Sequence, residues 1–231
     1  MLGIQTPTTK PVREADCLPD RIAGSAATIG SYLLCEHKSA ARREVEQFIR
    51  HSFARNHGAN IRHFLPRLLS LHREDASLLA AFGIRPATTG RLFLETYLDQ
   101  PIQTVLSQRL DQPITRQTIV EVGNLSARPG STRLMIAALT ALLYCEGFRW
   151  VAFTGTTQLH NSFLRLGLEP LTLCPAEKTR LPAEEQDGWG NYYDQKPCVF
   201  GGDIAHGLQL LLDIPVANAM LRRVRFPEGR T

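Results

Sequence analysis

Apolar positions change their period several times along the chain, and each change marks an element. Residues 1 to about 25 show no period. Pro7, Pro11 and Pro19 sit there among Thr, Lys and Asp, which predicts a flexible leader. The apolar run from Ala27 to Cys35 predicts a first strand. Ser39 is placed to cap a helix whose one face carries Val45, Phe48, Ile49, Ser52 and Phe53, with Gly58 at its end. The stretch from Ile61 to His72 is apolar but interrupted by Pro66, and reads as irregular or as a short helix. Leu78 to Ile84 and Arg91 to Glu95 each read as strands. Gln100-Pro101 opens a helix, since proline lacks only an N–H that has no partner in the first turn. Ile102, Val105, Leu106 and Leu110 form its buried stripe.

From Gln117 to Leu173 the pattern is sharper. Thr118 to Val122 is a β-branched strand, interrupted at Gly123-Asn124 where a bulge fits. A polar turn from Ser126 to Arg133 follows. Next comes a helix with Leu134, Ala137, Ala138, Ala141, Leu142 and Cys145 at helical spacing and Gly147 as its stop. Trp150 to Thr154 is a strand. A short helix carries Leu159, Phe163 and Leu166 and ends at Gly167; Leu171 to Cys174 is one more strand. Strand, helix, strand implies a parallel pair joined by a crossover. We expect Thr118–Val122 and Trp150–Thr154 to be adjacent, parallel and divergent at their C-terminal ends. Beyond Pro175 the chain is polar, then aromatic at 189–193, then helix-like from Ile204 to Leu212.

A length of 231 residues suits one α/β domain, placed at 26–215 with a tail over 216–231. A net charge of +4 favours an anionic ligand, but no Lys/Arg-rich block with interleaved aromatics argues for nucleic acid. The cysteines Cys17, Cys35, Cys145, Cys174 and Cys198 are odd in number and lack CxxC spacing. Neither a disulfide framework nor a metal site is expected, and a cytoplasmic location is. No stretch reaches the roughly 18 uninterrupted apolar residues of a membrane span.

The chemistry concentrates at the polar turn. Unpaired N–H groups and the dipole of the helix that it opens favour an anion. Arg128 and Arg133 add forked donors for phosphate, and Gly130 permits close backbone approach. A bulge at Gly123-Asn124 would free backbone groups for an extended ligand bearing amides. A phosphopantetheine arm, two amides ending in a phosphate, is such a ligand. An ordinary strand-to-helix turn with two solvated arginines is the plainer alternative.

The segment LSARPGSTRLMIAALTALLYCEGFRWVAFTGTTQLHNSFLRLGLEPL resembles the GNAT acyltransferase superfamily. Its ending, HNSFLRLGLEP, is similar to the superfamily's second acyl-CoA motif, which puts Asn161 in a cofactor-contacting position with Phe163 beside it. The turn keeps Arg128 and Gly130 but has Ser131-Thr132-Arg133 where a glycine pair is usual. Either acyl-CoA or the acyl-phosphopantetheine of an acyl carrier protein is therefore the implied donor. A wider resemblance, from about Arg42 to Leu212, is to the bacterial thermostable haemolysin family, itself related to acyl-homoserine-lactone (autoinducer) synthases. HGANIRHFLPRLLSL, RLFLETYLDQPI, TIVEVGNLSA, VAFTGTTQLHNSFLRLGLEP and WGNYYDQKP carry it. The implied fold is a GNAT-like three-layer α/β (α+β) arrangement. Its central mixed sheet would be mostly antiparallel and splayed at a bulged strand, with helices on both faces.

The implied reaction moves an acyl group from a thioester to an amine or hydroxyl of a small molecule. Glu121, one residue before Val122 and the bulge, is the candidate base, and Tyr193 a candidate general acid. Asn124, Leu125, Ser126, Arg128, Gly130, Ser131, Thr132, Arg133, Asn161 and Phe163 are the candidate donor-binding residues. Glu95, Tyr97 and Asp99, an acidic and aromatic cluster, are read as holding a cationic acceptor, with Thr154, Thr156 and Trp189 lining the acceptor side. Two other readings stay open: a membrane-active haemolysin, and an acyl-binding protein without catalysis.

Overall fold

The computed structural model describes residues 31–37 and 40–226. The expected leader over 1–25, and the first part of the strand expected from Ala27, lie outside them. One eight-stranded sheet runs through the molecule in the order β6-β7-β5-β4-β3-β2-β1-β8. Its strands are β1 (Tyr32–His37), β2 (Arg67–Arg73), β3 (Leu78–Pro86), β4 (Ile119–Ala127), β5 (Trp150–Gly155), β6 (Leu171–Pro175), β7 (Cys198–Asp203) and β8 (Val224–Arg225). Among the described residues only β4–β5 and β1–β8 are parallel pairs.

Helices cover both faces, giving three layers. On one face α3 (Thr132–Cys145), α6 (Ile204–Asp213) and α7 (Pro215–Leu221) close over Phe82, Ile84, Val120, Val122, Phe153 and Phe200. On the other, α1 (Ala40–His57) buries Val45 and Ile49 against Leu68, Leu78 and Ala81. Beside it α2 (Ile102–Leu110) buries Ile102 and Leu106 against Ile119 and Ala152. Each such side chain contributes about 1.5–3 kcal/mol by leaving water, so a sheet apolar on both faces needs both helical layers. The short helices α4 (Thr157–Leu164) and α5 (Ala183–Gln186) lie at one end of the sheet's central gap.

That gap is the fold's main feature. β4 and β5 pair from Ile119↔Trp150 to Val122↔Phe153 and then part. Beyond that point β4 follows β3 (Ser126↔Ala81, Ala127↔Ala80), while β5 follows β7 (Thr154↔Val199, Gly155↔Cys198). The β3–β4 register moves from Gly83↔Gly123 to Ala81↔Ser126, so Asn124 and Leu125 together face Phe82. Asn124 takes up the extra residue with φ of 54°. The adjacent, parallel, divergent pair expected from the sequence is present.

Three segments differ from the sequence reading. Residues 61–66 are irregular, one of the two readings, but 67–72 are strand and not helix: extended chain leads into β2 just after Pro66. The Asn124 side chain accepts from Leu65 N–H and donates to His63 O, and Arg42 donates to the carbonyls of Leu65 and Pro66. Those bonds replace the ladder that a helix would have supplied. Residues 91–95 are not a strand, because two carboxylates take the N–H groups of Leu92, Phe93 and Leu94 and turn the chain into a 3-10 turn at Leu94–Tyr97. β7 escaped the pattern because Gly201-Gly202 dilutes it, yet it pairs on both sides. Beyond 215, where a tail is expected, α7 packs into the core and β8 pairs with β1.

Candidate active site

A cavity of about 1450 Å³ opens where β4 and β5 part. Ligand pockets usually hold about 300–1,000 Å³, so this one has room for two reactants. Its walls are the C-terminal end of α1 with the chain that follows, the ends of β3, β4 and β5, the turn into α3, α4, and residues 184–195.

One end is basic. Arg128, Gly130, Thr132 and Arg133 line it, joined by Arg165 of the turn after α4. Ser131 is the N-cap residue of α3 but makes no side-chain cap, so the helix's first-turn N–H groups stay open to an anion. Ser131 itself is buried behind the wall. Arg128 is partly committed: its Nε donates to Leu78 O at 2.6 Å and its guanidinium sits over Phe48. Arg133 is exposed at the mouth.

Glu121 lines the middle of the cavity at 3% exposure. Its Oε1 accepts from Leu94 N–H at 2.8 Å and its Oε2 from Phe93 N–H at 3.2 Å. Burial pushes its carboxyl above the usual carboxylate range; the two amides and Arg85 only partly oppose that. Such a carboxylate is a stronger base than an exposed one. Further along the diverging strands, the hydroxyls of Ser126 on β4 and Thr154 on β5 are buried with no hydrogen-bond partner among the described residues. Both residues belong to the cavity wall, one on each side of the gap.

Other expected residues are spoken for. The Asn124 side chain pins residues 63–65, leaving its backbone at the bulge to face the cavity. Leu125 lines the cavity and packs on the core. Thr156 lines it too, but its hydroxyl caps α4 by accepting from Leu159 N–H. Asn161 is exposed on the wall. Phe163, expected to contact the donor, instead stacks on Phe153 at 4.8 Å inside the core, because a nine-tenths buried ring on α4's inner face has that neighbour and no surface on this cavity.

An aromatic wall closes the far side. Trp189 meets Phe53, Phe93, Tyr192 and Tyr193 at ring separations of 5.4–6.4 Å. The turn that carries it is strapped to α1: Asn191 N–H donates to His57 O and Asn60 N–H to Gly188 O. Only glycine fits at 190, since a Cβ there would fall 2.0 Å from His57 O. Tyr97 lines the cavity, and its hydroxyl shares a 2.6 Å hydrogen bond with that of Tyr193. Tyr193 lies behind it, and burial pushes its phenol up to about 12. Of the two hydroxyls, then, it is Tyr97 and not Tyr193 that reaches the cavity, and burial pushes the Tyr97 phenol well above its ordinary range.

Glu95 and Asp99 are not in the wall. Glu95 accepts from Arg116 at 2.5 Å and from the N–H groups of Leu92 and Ile102, tying the 3-10 turn to the start of α2. Burial works to raise its pKa, but Arg116 and those amides outweigh it and hold the carboxyl at about 2. Asp99 is 87% exposed and pairs with Arg180. Acid does line the cavity elsewhere, at Glu184, Glu185 and Asp187. The reading from sequence also missed Arg85, His57 and Gln195. Burial lowers the His57 pKa, and its Nδ1 meets Gln195 Nε2 at 3.0 Å. The available signal was Arg85 itself, a charge at the end of the apolar run LLAAFGIRP.

Residues 35–208 match the family described as thermostable hemolysin. No curated protein sequence matches. Among solved structures the chain is similar to TofI in a ternary complex with an inhibitor and MTA. That similarity is at 16% identity over 80% of this chain and 99% of that one, with a TM-score of 0.52. It is similar to FeeM, an N-acyl amino acid synthase from uncultured soil microbes, at 11% identity over 83% and 99%, TM-score 0.52. It is also similar to BjaI, a CoA-dependent acyl-homoserine lactone synthase seen with SAM and isopentyl-CoA, at 14% identity over 87% and 95%, TM-score 0.50. At these identities the shared feature is the fold, a GNAT-like one.

Proposed function

This chain belongs to the thermostable hemolysin family, and on that footing we propose that it is an acyltransferase. It would move an acyl group from a thioester to an amine or hydroxyl of a small molecule. The observation that carries the reading is the divergence of β4 from β5, which opens a cavity walled by Glu121, Ser126 and Thr154. The donor is acyl-CoA or the acyl-phosphopantetheine of a carrier protein, and a cytoplasmic setting suits either. Its phosphate end lies at Arg128, Gly130, Thr132 and Arg133, and its amides run between the strands. The likeness to a synthase that uses a CoA thioester supports this reading.

In the reaction the acceptor attacks the thioester carbonyl and Glu121 takes its proton, directly or through water. Backbone N–H groups at the Asn124 bulge face the carbonyl oxygen as charge builds there. The thiolate then leaves with that proton, returned by Glu121, while the Tyr97 hydroxyl on the aromatic wall, paired with Tyr193, offers it a hydrogen bond. A crystal structure with a non-hydrolysable acyl-CoA thioether tests the placement. The pantetheine arm is expected between Ser126 and Thr154; an arm bound outside the β4–β5 gap contradicts it.

A further inference from the structure

Arg85 lies directly opposite Glu121 in the antiparallel β3–β4 register, so both side chains leave the same face of the sheet. Both line the cavity. Yet Glu121 spends its oxygens on the amides of Phe93 and Leu94, not on Arg85. Among the described residues Arg85 makes one hydrogen bond, from Nη1 to Arg91 O at 3.2 Å. Among the same residues its Nε–H is buried without a partner. A guanidinium on a cavity wall with only one of its five donors in use is suited to an anion, and its fork matches a carboxylate.

We propose that Arg85 binds the carboxylate of the acceptor, and that the acceptor is therefore an α-amino acid with a free carboxylate. This rests on the acyl-transfer reading above. An α-amino acid separates its amine and carboxylate by one carbon, and directly opposed residues in a sheet have Cβ atoms only about 4.5–5.5 Å apart. The carboxylate on Arg85 thus brings the amine to Glu121. The amino-acid side chain then meets Phe93, Tyr97, Trp189 and Tyr192, which selects apolar and aromatic ones. The nitrogen forms the new C–N bond as the C–S bond breaks. The amine's proton passes to Glu121 and then to the departing thiolate, leaving an N-acyl amino acid and a free thiol.

The test compares L-phenylalanine with L-phenylalaninamide and phenethylamine on the full-length protein, with decanoyl-CoA and decanoyl carrier protein as donors. Wild type is expected to favour phenylalanine over both by about 10- to 100-fold in kcat/KM, the size of a lost charged hydrogen bond. Arg85→Gln is expected to erase that preference through KM, and Arg85→Lys to keep part of it. Equal or better use of the amide or amine by wild type overturns the proposal, and so does a preference that survives in Arg85→Gln. If Arg85→Gln does not fold, the wild-type comparison decides alone. Calorimetry without donor separates this idea from the reading beneath it. Carboxylate-dependent binding without product keeps Arg85's role and removes acyl transfer, whereas transfer to amines alone does the reverse.

Discussion

Glu121 supports the chain above it at Leu94, whose N–H donates to Oε1 at 2.8 Å. The same carboxylate that faces the cavity thus fixes the 3-10 turn carrying Tyr97. A Glu121→Gln protein retains one carbonyl oxygen for one of the two amides and is expected to fold. Its turnover is expected to fall by about 10²–10⁴-fold, the usual contribution of a positioned base, with donor affinity unchanged. Steady-state kinetics beside donor titration check this. Near-normal turnover would leave Glu121 a structural residue only.

The raised pKa of Glu121 fixes the sign of two pH effects. As a base it must be ionised, so kcat/KM is expected to rise with pH along a limb above the ordinary value of 4.5, and Glu121→Gln is expected to lack that limb. Stability runs the other way. A group raised on folding gives stability that is full below 4.5 and is lost as pH rises through its folded value. The melting temperature of wild type relative to Glu121→Gln is therefore expected to drop as pH increases across that window.

Glu95 is expected to behave as a structural residue. Glu95→Gln breaks its bond with Arg116 and should cost about 2–3 kcal/mol, read by denaturant unfolding, with the acceptor KM unchanged in the folded fraction. The wild-type ion pair contributes stability above pH 4.5 that is lost as pH falls toward about 2. A raised KM at normal stability would return Glu95 to the acceptor site.

At the basic end, Arg133→Glu is expected to weaken donor binding about tenfold or more with little change in stability, because the side chain is exposed and open to a phosphate. Arg128→Glu should weaken binding and also destabilise, since it loses the bond to Leu78 O. Affinity for acyl-CoA that is unchanged in both variants would make this a turn and nothing more.

Much of this was legible in the sequence because local pattern and tertiary role agreed. The β-branched run before Gly123-Asn124, the crossover helix and the strand from Trp150 all signal themselves by period. Bulge, turn and Glu121 then follow as neighbours in the chain. What failed was long-range. Glu95 and Asp99 lie near Tyr97 in sequence, but Arg116 and Arg180 draw them away from the cavity. Phe163 belongs to a helical motif whose inner face turned out to be core. Arg85 gains meaning only from its register opposite Glu121, and no periodicity within β3 encodes a partner 36 positions away. The strand expected at Arg91–Glu95 was lost to two carboxylates, one of them on β4.

Acyl transfer itself is tested most directly by mass spectrometry. The purified protein is incubated with isotope-labelled acyl-CoA or acyl carrier protein and a mixture of amino acids, amines and alcohols, and every labelled product is followed. We expect free thiol and one acylated small molecule in equal amounts, both formed about 10²–10⁴-fold more slowly by Glu121→Gln, with lysis of red cells, if any, following the product. Bound donor that is never consumed, or lysis by the protein with no labelled product and no effect of Glu121→Gln, would contradict the account.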